Sequence, residues 1–231
     1  QPARPMTDIA FIVDNSCSMT EEQANLADNF DSFIWGLEET NADYRIGVIT
    51  TDQSGFQGEI ITPDTPNAAQ KFRDEAVAGT GGSGTERALQ MLYNCVQAGG
   101  DCSASAGFMR DDALFAGIIV SDEPDQSALS PEAYVEYLWT LKDDPDLIKI
   151  HAIAGAVPGP PSCTTCSSPG YGYDEAVAAT EEYYGRLNYP RALQYYIGGD
   201  VCLRPGEKPH VLRQWNEFLK TRYGSAEMLK Q

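Results

Sequence analysis

The chain has 231 residues, 42% of them hydrophobic, with 16 basic residues against 34 acidic ones and a net charge of −18. Length and apolar content fit one large folded domain, while the negative field argues against nucleic acid or an anionic membrane surface as partner. No apolar run is long enough to span a bilayer, so direct membrane insertion is not expected.

In chain order, residues 1–7 read as a tail. Asp8 to Val13 reads as a buried central strand that runs into Asp14-Asn15-Ser16-Cys17-Ser18. Thr20, followed by Gln23, has the pattern of a capping box, and the helix behind it carries Leu26, Ala27, Phe30, Phe33, Ile34 and Leu37 at helical spacing. Asp43–Asp52 is a second strand, and Gly58–Thr62 a short edge strand ended by Pro63. Asn67–Ala78 reads as a helix. A glycine-dense turn, Gly79–Thr85, then leads into a helix from Glu86 to about Gln97.

Gly117–Asp122 is the next buried strand. Ser130, with Pro131 at the first helical position, opens a helix to about Lys142, and Leu147–Gly155 is a fifth strand. Further on, the sequence predicts a helix over 174–184, a last strand over 191–198 and an amphipathic helix over 211–223. Alternating strands and helices imply an α/β fold, a doubly wound, mostly parallel six-stranded sheet flanked by helices on both faces. A single domain spans 8–224, and 225–231 is a second tail.

The six cysteines are an even set in loop-like sequence. Cys95 and Cys102 flank Val-Gln-Ala-Gly-Gly-Asp, Cys163 and Cys166 lie between prolines, and Cys202 follows Gly-Gly-Asp-Val. This fits disulfides in an exported protein, hence an extracytoplasmic location. A zinc site would need four thiolate or imidazole ligands. Cys163-x-x-Cys166 offers one pair, and His151 and His210 stand alone.

Three turns at the ends of core elements carry oxygen ligands: Asp14/Ser16/Ser18, Ser83/Thr85 and Ser121/Asp122. In a parallel sheet such strand ends face the same way, so these loops can converge at the crevice side. Carboxylates and hydroxyls form a hard-oxygen set suited to Mg²⁺ rather than zinc or copper.

The buried strand ending in Asp14-x-Ser16-x-Ser18, the glycine-rich turn before Ala88-Leu89, and Asp122 after Ile118-Ile119-Val120 together resemble the von Willebrand factor A domain. The wording around Asp122 and Gly47–Asp52 is similar to that of exported bacterial members. The resemblance implies a metal-ion-dependent adhesion site holding Mg²⁺ (or Mn²⁺/Ca²⁺) through Asp14, Ser16, Ser18, Ser83 and Asp122. A partner protein's carboxylate would fill its open position. The family's second loop supplies a threonine six residues before the helix leucine, and counting back from Leu89 reaches Ser83. Thr85 is the alternative ligand, or else the N-cap of the helix at Glu86. Asp52 and Glu123 would be supporting groups or simply solvated. Between the two serines the family usually has glycine, where this chain has Cys17. A free thiol beside the metal would be out of place in an oxidising compartment, and the loop at 163–166 follows a strand end and should lie on the same rim. A bridge is therefore expected from Cys17 to Cys163 or Cys166, with the other paired to Cys202 and Cys95 to Cys102. The alternative is a buried free Cys17 with Cys163 and Cys166 paired locally.

The expected function is a metal-dependent protein-binding or adhesion module, without catalysis. One alternative is a metal-assisted hydrolase, but the aspartyl-phosphatase pattern needs a second Asp where Ser16 stands. A serine hydrolase needs a histidine base and a Gly-x-Ser-x-Gly elbow, and only His151 and His210 exist. The other alternative is a structural subunit whose metal merely rigidifies the rim.

Overall fold

Continuous apolar runs become parallel strands here because both of their faces are covered. The computed structural model describes residues 4–154, 171–173 and 175–177. Its elements are β1 (Met6–Val13), α1 (Thr20–Glu39), β2 (Asp43–Thr50), α2 (Ala68–Ala76), α3 (Ala88–Val96), β3 (Leu114–Val120), α4 (Pro131–Trp139) and, after a 3₁₀ turn, β4 (Ile148–Ile153). The strands form one parallel sheet in the order β2-β1-β3-β4. β1 is central: Phe11 pairs with Val48 on one side and Ile118 on the other.

Alternate residues of β1 serve opposite faces. Ile9, Phe11 and Val13 pack with Phe30, Phe33 and Phe72 of α1 and α2, whereas Ala10 and Ile12 pack with Leu89 and Leu92 of α3 and Leu138 of α4. The sheet is thus doubly wound, with a core on each side. Phe72 stacks on Phe30 and meets Phe11 edge-on, so truncating it to alanine should cost about 3–5 kcal/mol.

The amino ends of the strands are pinned by charge. Asp8 is fully buried and accepts bonds from the Arg110 main-chain N–H at 2.7 Å and from its Nε at 2.9 Å. Arg110 also pairs with Asp43 at 2.9 Å. Lys142 Nζ, itself buried, donates to the carbonyls of Arg110 and Ala113.

Several boundaries differ from expectation. The edge strand over Gly58–Thr62 does not form. Ile61 makes one isolated antiparallel bridge to Ile46, because Gly58 turns the chain against the Glu75 carboxyl and Pro63 has no N–H to extend a ladder. Among the described residues the sheet therefore has four strands; the strand expected over 191–198 and the helix over 211–223 lie outside them. Of the helix expected over 174–184, residues 175–177 are helical.

α1 starts at Thr20, but its cap is Met19, with no side-chain cap bond. Met19 is buried and fixes the turn, while Gln23 points inward instead of closing a capping box. α3 starts at Ala88, two positions after the expected Glu86, whose side chain is drawn into the interior. β3 starts at Leu114, since Leu114-Phe115-Ala116 extends the ladder with β1. Ser130 does cap α4, accepting from the Ala133 N–H. No helix among the described residues is long and apolar enough to cross a membrane.

Candidate functional site

At the carboxyl end of β1 the ladder continues one step, as the Asp14 N–H donates to Val120 O at 2.9 Å. The chain then turns because Asp14 Oδ1 accepts the Ser16 N–H at 2.8 Å, an Asx turn. The other oxygen, Oδ2, accepts the Ser121 hydroxyl at 2.6 Å. Ser121 follows β3, so the Asp14 carboxylate ties together the ends of two adjacent strands.

The hydroxyls complete the link. Ser16 Oγ and Ser18 Oγ lie 3.1 Å apart, and Ser18 Oγ donates to Asp122 Oδ1 at 3.2 Å. Asp14, Ser16, Ser18 and Asp122 are therefore one connected group. Asp14 and Ser16 are buried, and Ser18 is exposed.

The glycine-rich loop docks on the same rim by its backbone. The Gly82 N–H donates to Asn15 O at 2.9 Å, and Gln23 Nε2 donates to both Asp14 O and Gly79 O. Asp52, after β2, accepts from Asn15 Nδ2, Thr50 Oγ1 and the Ser83 N–H. Burial pushes the Asp52 carboxyl up, but the bonds from Thr50, Ser83 and Asn15 outweigh it and hold it below the usual range. Asp52 is thus the strut between the first and second loops.

Ser83 is the site residue least engaged with the others: its Oγ accepts the Thr85 N–H at 3.0 Å. Thr85 is not the cap of α3, since Arg87 occupies that position without a side-chain bond. The α3 amino end is capped from the β3–α4 loop, by Asp125 Oδ1 on the Leu89 N–H and Ser127 Oγ on the Gln90 N–H. Of Glu123, the main chain closes the turn around the Ser121 hydroxyl.

Glu86 is the residue that sequence reasoning missed. It is fully buried, its Oε2 accepts the Thr51 hydroxyl at 2.5 Å, and it lies beside Asp14 and Asp122. Burial, opposed by the Thr51 bond and reinforced by the charge of Asp14, by hydrogen bonding to Asp14 and by the charge of Asp122, pushes its carboxyl up to about 7. Burial likewise raises Asp122, against the pull of Ser18 and with the added repulsion of Asp14 and Glu123. A glutamate just before a helix ordinarily reads as a solvated charge favourable to the helix dipole. The one usable signal was the hydroxyl of Thr51 at the end of a neighbouring strand.

Among the described residues Cys17 has no disulfide partner. It is exposed, next to the buried Asp14 and Ser16 of the same turn, and the partners expected for it fall in the part of the chain beyond the described residues. Cys163, Cys166 and Cys202 lie outside the described residues. The Cys95–Cys102 disulfide is formed as expected, joining the end of α3 to the following loop.

The donors suit a hard cation. Carboxylates and serine hydroxyls converge, and among the described residues no lysine or arginine forms an ion pair with Asp14, Glu86 or Asp122. Close, poorly solvated carboxylates raise one another's pKa, and a bound cation reverses that. Among the described residues, no three carboxylate, imidazole or thiolate side chains form a metal-holding group by themselves, so any ion here would need the hydroxyls.

No family model and no curated protein matches the chain. Among solved structures it is similar to proximal thread matrix protein 1 from the mussel byssus, at 12% identity over 78% of this chain and 47% of that one, with a TM-score of 0.43. The same protein with a zinc-occupied MIDAS motif matches at 17% identity over 78% of this chain and 45% of that one, with a TM-score of 0.42. The pilus adhesin SpaC from Lactobacillus rhamnosus GG, in an open conformation, matches at 15% identity over 53% of this chain and 15% of that one, with a TM-score of 0.39. The chain spans less than half the length of each. Scores at this level do not assign it to a family.

Proposed function

We propose that the chain is a von Willebrand factor A-like module that binds a partner protein through a divalent cation, without catalysis. The observation that carries this reading is the hydrogen-bonded group Asp14–Ser16–Ser18–Asp122 at the carboxyl ends of two adjacent parallel strands. Ser16 and Ser18 would hold Mg²⁺, Mn²⁺ or Ca²⁺ directly, with Asp14 and Asp122 acting directly or through water. Ser83 would join from the second loop by turning its hydroxyl away from the Thr85 N–H. The cation supplies an electrophilic position that a partner's carboxylate fills. Oxygen donors with exchangeable water are what such ions require.

The non-catalytic reading is favoured over hydrolysis by the setting of the hydroxyls. The Ser16 and Ser18 hydroxyls bond to each other and Ser18 to the Asp122 carboxylate, and among the described residues neither hydrogen-bonds to a histidine. An extracytoplasmic location is supported by the Cys95–Cys102 disulfide.

The test is calorimetric titration of Mg²⁺ and Mn²⁺ into metal-free protein, for the wild type and for Ser16→Ala. Saturable one-site binding that Ser16→Ala abolishes is the expected result. An absence of binding by the wild type would sink the reading.

A further inference from the structure

The buried Glu86 carboxyl has one oxygen accounted for and one not. Oε2 accepts the Thr51 hydroxyl, whereas no N–H or O–H group donates to the buried Oε1, and the carboxyl lies within hydrogen-bonding reach of the Asp14 carboxylate. A buried acceptor left unmatched is costly unless a water or ion sits against it. The residue is held on three sides. Its own carbonyl accepts the Gln126 N–H at 2.6 Å, and the next N–H, that of Arg87, donates to Thr51 O at 3.3 Å. Thr51 is in turn bonded to Val13 O, one residue before Asp14. The backbone therefore delivers the Glu86 side chain to the floor of the same rim, where its neighbours are Asp14 and Asp122.

Resting on the cation-site reading above, we propose that Glu86 is a third carboxylate of that site, a positioning residue that holds a cation-bound water through its free Oε1. Three carboxylates do not converge closely enough to share an ion as direct ligands, which is why the contact runs through water. Outer groups of this kind orient the inner ligands and strengthen the charge field at the ion. Thr51 aims the carboxylate, so the end of β2 contributes to the site although it supplies no ligand.

The experiment is titration of metal-free full-length chain with Mn²⁺ alone, read by calorimetry and by water-proton relaxation, for the wild type, Glu86→Gln and Thr51→Val. Glu86→Gln should weaken Mn²⁺ binding about 10- to 100-fold and alter the relaxation signal of the bound ion, with the near-ultraviolet circular dichroism unchanged. Thr51→Val should weaken binding in the same direction by a smaller factor, and decides the matter if Glu86→Gln does not fold. Wild-type affinity in the folded variants overturns the role of Glu86 while leaving the cation site standing. Failure of the wild type itself to bind Mn²⁺ overturns both.

Discussion

Ser18 Oγ donates to Asp122 Oδ1 at 3.2 Å, across 104 residues of sequence. This bond closes the rim between β1 and β3 with a side chain that is itself exposed. Losing it should have little effect on stability, because water replaces the exposed hydroxyl at the carboxylate and even a hydrogen bond to a charged group contributes only about 1.5–3 kcal/mol. Ser16→Ala and Ser18→Ala should therefore melt close to the wild type in chelator. In Mg²⁺ at a hundredfold excess over Kd, the wild type alone should gain about 2.7 kcal/mol. Thermal melts with and without Mg²⁺ check this, and equal gains for all three proteins would count against the proposed function.

Gly82 bears on the same site from the second loop. A Cβ placed there would lie 2.2 Å from Asn15 Oδ1, and Asn15 is tethered to Asp52. Gly82→Ala should thus push the Ser83 loop off the rim. The expected outcome is a loss of Mn²⁺ affinity of about tenfold, of the order seen when groups supporting a metal site are disturbed, with a melting temperature within a few degrees of wild type. Calorimetry beside thermal melts measures both.

At the opposite end of the sheet, Arg110→Met should be among the most damaging surface-proximal changes. It leaves Asp8 fully buried and stripped of the bond from Arg110 Nε, a loss of about 3–5 kcal/mol for a broken buried pair. Urea denaturation should show a lower midpoint, and the double change Asp8→Asn/Arg110→Met should recover part of it.

Glu75 gives a pH dependence away from the proposed cation site. Burial pushes its carboxyl above the ordinary glutamate value, against the bond from the Glu59 N–H and the charge of Lys71. A raised folded-state pKa means that the stability contributed by the protonated form is fully present below the unfolded value and is lost as pH rises through the folded one. Glu75→Gln should therefore stabilise the protein at pH 7 relative to wild type, and the advantage should shrink toward pH 4. Melting curves of both proteins across that range test the sign.

The thiols separate cleanly. Among the described residues Cys17 is free and exposed while Cys95 and Cys102 are bridged, so a thiol reagent should modify Cys17 in the native protein and leave the other two untouched until reduction. Opening so short a loop should cost about 2–3 kcal/mol in a chain-entropy account, seen as a lower melting temperature in reductant.

Ile9 to Val13 could be read as a central strand because a strand buried on both faces leaves no polar alternation. That Asp14 and Asp122 would share a rim followed from strand ends in a parallel sheet facing one way. The parts that were not legible depend on partners distant in sequence. Glu86 is inside only because Thr51 receives it, and α3 is capped by Asp125 and Ser127 rather than by Thr85. Ile60 and Ile61 look like a strand, yet the glycine and proline flanking them leave a single bridge. Cys17 is exposed on the tight Asx turn at Asp14, and the 163–166 loop expected to bridge to it lies outside the described residues.

The pairing of β1 on both sides from Thr7 to Val13 would have a mechanical meaning if the module binds through its rim as proposed. A pull entering at Ser16 or Ser18 runs straight down β1. Parallel neighbours then resist it in shear, with both ladders loaded at once, whereas a strand peeled from an edge gives way one bond after another. A partner bound there would be held by the strand of the sheet that has neighbours on both sides.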